Sequence, residues 1–168
     1  MYSEEIKRNN ELVWASVFVH EINNQNNFDY TLIPERGENS PVDLYAVSQS
    51  KKFPELRLQL THAVELPFIS YEQPTTADYS KQPTIDAIER KFEKLTHQGV
   101  DLSNLILIIQ GYMNKDTATI VFADESFEKY RAYPFKGIYY VSPAVMSGDT
   151  DESLQDGYIV AIKDAINF

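Results

Sequence analysis

An acid and an amide stand on two strand-like stretches that follow one another in the chain. Asp43 lies near the start of Val42 to Ser48, a β-branched and aromatic run, and Gln59 lies within Glu55 to Ala63. The second run alternates strictly, with Leu56, Leu58 and Leu60 pointing one way and Arg57, Gln59 and Thr61 the other. Paired as an antiparallel hairpin, the two runs bring Asp43 within reach of Gln59 if the register allows. A polar face of this kind marks a site or the remains of one. Arg57 shares the face, where it would bind a phosphate, or pair with Asp43 and make the site structural. Gln49 to Pro54, polar, with Lys51 and Lys52 and closed by a proline, reads as the connection.

The elements that must carry these residues follow from periodicity and punctuation. Ser3 suits a helix N-cap, with Glu4 and Glu5 at the positive end of the dipole. Helical spacing of Ile6, Val13, Val17 and the Trp14/Phe18 pair predicts a mostly buried helix to about Asn23, ended by Asn23 to Asn27. A short strand over Phe28 to Ile33, a turn at Pro34 to Ser40 and the hairpin come next. Val64 to Pro83, with three prolines and several threonines, reads as a loop. Pro83-Thr84 then opens a helix capped by Thr84, with Ile85, Ile88, Phe92 and Leu95 on one face and Gly99 as its stop. Leu102 to Gln110, nearly continuous in Leu and Ile, is expected as a strand buried on both faces. Thr117 to Phe122 is an apolar run of undecided type. Glu125 to Ala132 reads as a helix, Gly137 to Val141 as a strand and Ser153 to Ile166 as a final amphipathic helix. The expected architecture is α/β, a mixed central sheet flanked by helices on both faces, formed as one domain over residues 1–168.

Composition narrows the functional classes. A chain of 168 residues with 43% hydrophobic residues is long enough to bury about 70% of its unfolded surface. It has no cysteine, so disulfides and thiolate metal sites are excluded. No apolar run approaches the roughly 20 residues of a membrane span, and MYSEEIKRNN is too polar for a secretory signal. A cytoplasmic location and no membrane partner are the expectation. Twenty-five acids against fifteen bases give a net charge of −10, which repels a polyanion at long range and argues against a broad DNA binder. A local basic groove is still open, built from Lys51, Lys52 and Arg57 together with Arg90, Lys91 and Lys94. The alternative is that all six are ordinary solvated charges.

The order of elements, with Pro41-Val42-Asp43 opening the second strand, resembles the PD-(D/E)xK nuclease superfamily, also called restriction-endonuclease-like, with its αβββαβ core. Asp43 stands where that superfamily has its first metal-binding aspartate, and Gln59-Leu60-Thr61 where it has an acid, any residue and a lysine. Glu11, in NELVWASVF, stands where resolvase-like members keep a glutamate on the first helix. The resemblance implies that Asp43 and Gln59 would hold Mg²⁺ or Mn²⁺, with Gln59 offering a neutral carbonyl oxygen. Hard cations want oxygen ligands, and such a metal offsets charge building on a phosphate. Thr61 carries no positive charge and cannot replace the lysine. Lys91, with Lys94 or Lys52 as alternatives, would have to supply it from elsewhere.

Each of these residues also has a reading without function. Asp43 would cap a turn, Gln59 would sit on a half-solvated face, and Glu11 would be exposed on a helix. Glu21, Glu35 and Glu38 have no stronger claim. His20, His62 and His97 show no zinc-ligand spacing, and neither a serine elbow nor a glycine-rich phosphate loop is present. Tyr133, Tyr139 and Tyr140 are expected as sheet packing rather than a stacking surface for bases. The leading expectation is a divergent nuclease-fold protein, catalytically weak or inactive, acting in a nucleic-acid-related process. The alternatives are a metal-dependent nuclease with a migrated lysine, and an acidic module that binds a protein partner.

Overall fold

The structure is a computed structural model that describes residues 4–34, 44–63, 77–143 and 157–166. In chain order the elements are α1 (Glu4–Asn26), β1 (Tyr30–Pro34), β2 (Leu44–Ser48), β3 (Leu56–His62), α2 (Ala77–His97), β4 (Leu105–Gln110), α3 (Lys115–Phe122), α4 (Glu128–Arg131), β5 (Gly137–Pro143) and β6 (Gly157–Lys163). The strands form one six-stranded sheet in the order β1-β2-β3-β4-β5-β6. β3, β4 and β5 are parallel neighbours, and the pairs β1·β2, β2·β3 and β5·β6 are antiparallel.

Alternation along the strands builds two cores. Leu56, Leu58 and Leu60 of β3 join Ile106 and Ile108 of β4 and Tyr139 and Val141 of β5 on one face. Trp14, Ala15, Val17, Phe18, Val19 and Ile22 of α1 cover them. On the other face Leu105, Leu107 and Ile109, with Ile138 and Tyr140, pack under α2, α3 and α4. β4 is buried at every position, as a strand covered on both faces must be. Helices therefore flank a mixed sheet on both sides, as the sequence predicts, and among the described residues no helix is long and apolar enough to cross a membrane.

The structure corrects several expected elements. The segment read as a last helix contains strand β6, which pairs antiparallel with β5 from Ile138↔Lys163 to Pro143↔Gly157. α2 begins at Ala77, so Pro83 lies inside the helix and Thr84, expected as its cap, is buried at 1% exposure. The undecided run becomes α3, capped by Asn114, whose side chain accepts from Thr117 N at 2.8 Å. The predicted stop of α2 holds: Gly99 takes a left-handed φ of 73°, which a glycine adopts at no steric cost.

Candidate functional site

Gln59 is the most unusual polar group on β3. Its neighbours in register are Leu58 and Leu60 along the strand and Leu107 across it on β4. Strand alternation turns Gln59 and Thr61 away from α1 and toward the α2 side, and both are 5% exposed. The expected half-solvated face is thus closed: the β3–α2–β4 crossover lays a helix over it. Among the described residues the buried Gln59 side-chain oxygen has no hydrogen-bond partner, and a group left so costs about 1–3 kcal/mol relative to a satisfied one.

The helix brings a cation to this face. Arg90 Nη2 donates to the His62 carbonyl at 3.0 Å and approaches Thr61 Oγ1 at 3.5 Å. Lys91 follows on the stripe of α2 that faces the sheet, since Thr84, Ile88, Lys91 and Leu95 succeed one another at helical spacing. The first two and the last are buried, and Lys91 is half-buried. Beside Arg90, a shallow depression of about 450 Å³ is lined by Arg90, Glu93, Lys94, His97 and Gln98. One of the two predicted basic clusters therefore borders a surface concavity. The other does not share it: Lys51 and Lys52 are exposed in the β2–β3 turn, and Arg57 pairs with Glu55 at 3.7 Å, both half-exposed.

Of the predicted site residues, the structure brings Gln59 to the β3–α2 face and Lys91 to the same layer. Asp43, Glu35 and Glu38 lie outside the described residues. Glu11 is the correction: α1 covers the Leu56, Leu58 and Leu60 face, so the sheet stands between Glu11 and Gln59. The physical reason is parity, since Gln59 is one residue out of phase with the leucines that α1 covers.

The donors here do not by themselves fit a divalent cation. Among the described residues no three His, Asp or Glu side chains group to hold a metal, and Gln59 contributes one neutral oxygen where Mg²⁺ or Mn²⁺ demands several, carboxylates among them. A guanidinium beside the same strand favours an anion instead. The histidines lie on separate elements: His20 bonds Asn24 at 3.1 Å, His62 ends β3 and His97 lines the depression.

The predicted packing role of the tyrosines holds for Tyr139 and Tyr140, at 2% and 1% exposure, and Tyr133 packs on Phe92 with ring centroids 4.4 Å apart. Sequence reasoning passed over two residues at the end of β4. Gln110 is buried, with neither amide atom partnered among the described residues, and Tyr112 is 64% exposed. The available signal was an amide closing a run of Leu and Ile, followed by Gly-Tyr.

No protein-family model, curated protein or solved structure matches the chain.

Proposed function

We propose that this is a divergent nuclease-fold protein that recognises a phosphodiester chain at its β3–α2 face and cleaves it weakly or not at all. The observation that carries the reading is Arg90 of α2, anchored by the His62 carbonyl next to Thr61 on the strand whose Gln59 oxygen has no partner among the described residues. Support also comes from the connectivity: α1, the β1–β2–β3 meander, α2 and β4 run in the αβββαβ order that the sequence resemblance implies, with strands adjacent in chain order. Chemically, a guanidinium offers fixed donors to phosphate oxygens. A lone neutral amide oxygen is a poor ligand for such a cation, and weak cleavage would follow from weak activation of an attacking water.

One observation favours the alternative reading, a metal-dependent nuclease with a migrated lysine. Lys91 lies on the sheet-facing stripe of α2, in the layer of Gln59. Incubating the protein with single- and double-stranded DNA and RNA in Mg²⁺ or Mn²⁺ separates the two. Binding without cleavage is the expected result. Cleavage that vanishes in both Asp43→Ala and Lys91→Ala replaces the inactive reading with the active one. A stable protein partner in pull-down, with no nucleic acid bound at low salt, replaces both with an interaction module.

A further inference from the structure

β1 forms one end of the sheet: β2 pairs with it on one side, and among the described residues no strand pairs with it on the other. The register shows which of its backbone groups face outward. Gln49 N donates to Asp29 O at 3.2 Å, so alternation in the antiparallel ladder turns Thr31 and Ile33 toward β2 and Tyr30, Leu32 and Pro34 away from it. An open edge of this kind is a template for a strand of another chain. Proteins commonly blunt such an edge with a charged side chain, yet Tyr30–Pro34 (YTLIP) carries none.

Asn23 of α1 closes the first outward position. Its Oδ1 accepts from Tyr30 N at 2.9 Å, and its Nδ2 donates to Tyr30 O at 3.1 Å. One side-chain amide thus satisfies the donor and the acceptor that an incoming strand would take. The end of α1 holds it there: Asn27 has a left-handed φ of 58°, and Phe28 N donates back to Asn23 O at 3.1 Å, which turns the chain from helix into strand. Tyr30 is fixed on its own account, since its hydroxyl donates to Pro54 O at 2.7 Å. At the other end of β1, Pro34 has no N–H to offer. The opposite edge of the sheet is blunted by other groups. β6 shifts register against Ile138 and Tyr139, and Arg131 Nε donates to Ile162 O at 3.1 Å.

We propose that Asn23 is a stop on the β1 edge, its amide standing in for a further strand and barring antiparallel pairing with β1 of a second copy of this chain. A second copy fits because the pairing is self-complementary: the same uncharged strand lies on both sides, with no like charges opposed. Neither bond to Tyr30 involves the β3–α2 face, so the stop stands apart from the phosphodiester reading. The experiment measures the mass of the full chain by size exclusion with light scattering over a range of concentrations, for wild type, Asn23→Ala and the double variant Asn23→Ala with Thr31→Lys. Thr31 is exposed on β1, and a lysine there puts a charge on the edge without touching the core. Asn23→Ala should associate at a concentration lower by roughly tenfold or more than wild type, because pairing no longer breaks two hydrogen bonds. The added lysine should reverse the association. A folded Asn23→Ala variant that associates no more readily than wild type would overturn the proposal, and so would association that Thr31→Lys leaves unchanged. Circular dichroism checks the fold of each variant; if Asn23→Ala unfolds, Asn23→Ser decides in the same assay, association supporting the stop and its absence overturning it.

Discussion

Arg90 Nη2 lies 3.0 Å from the carbonyl oxygen of His62, joining the middle of α2 to the last residue of β3. The bond fixes the guanidinium at the C-terminal end of β3, next to a depression with Lys94 and His97. Substituting Arg90→Gln should cost about 0.5–1.5 kcal/mol of stability, because a charged donor is lost from a partly solvated carbonyl. Urea unfolding would check this, as a lower midpoint with an unchanged slope.

Gln59 and Gln110 predict the opposite sign. The Gln59 oxygen and both amide atoms of Gln110 are buried without partners among the described residues. Replacing either residue with leucine removes an unsatisfied group at little change in volume. Each of Gln59→Leu and Gln110→Leu should stabilise the protein by on the order of 1 kcal/mol, raising Tm by roughly 2–4 °C. Thermal unfolding of the single variants tests it, and a fall in Tm would show that the amides are satisfied in solution.

How much of this could be read beforehand differs by residue. The alternation of Leu56, Leu58 and Leu60 with Arg57, Gln59 and Thr61 was legible, because period 2 is written directly into the strand. That Gln59 would be buried was not, because burial comes from a helix some 30 residues later that crosses back over the sheet. The choice between Arg90 and Lys91 depends on how α2 is rotated over β3, which spacing within the helix alone does not set. β6 was misread because a short amphipathic segment also satisfies a helical period; pairing with β5 decides it.

Gly111 is constrained by shape. A Cβ there would fall 1.9 Å from Tyr140 Oη and 2.3 Å from Tyr140 Cζ. Gly111→Ala should therefore destabilise by about 1–3 kcal/mol, more if the ring cannot move. Tyr140→Phe should not rescue it, since the ring carbons obstruct as well as the hydroxyl. A double-mutant cycle in denaturant measures this, and full rescue would place the clash on the hydroxyl alone.

The tyrosines set the alkaline limit. Burial, aided by the charge of Asp29, pushes Tyr30 up from 10.0 to about 12, and burial pushes Tyr158 up to about 12. Burial and the hydrogen bond to Asp164 also raise Tyr139. In each case the folded state holds its proton more tightly than the unfolded chain. The stabilisation is full below pH 10 and is lost as pH rises through about 12. Tyrosinate absorbance should show some of the eleven tyrosines ionising only with unfolding, and a single early titration of all of them would contradict the packing described.

The central claim is that the β3–α2 face holds a phosphodiester chain through Arg90, and a salt titration of oligonucleotide binding tests it most directly. Measurable binding of an oligonucleotide at low salt is expected, with a shallow dependence of affinity on salt and a slope smaller by roughly one phosphate contact in Arg90→Gln. An Arg90→Gln variant with the affinity and slope of the wild type would contradict it.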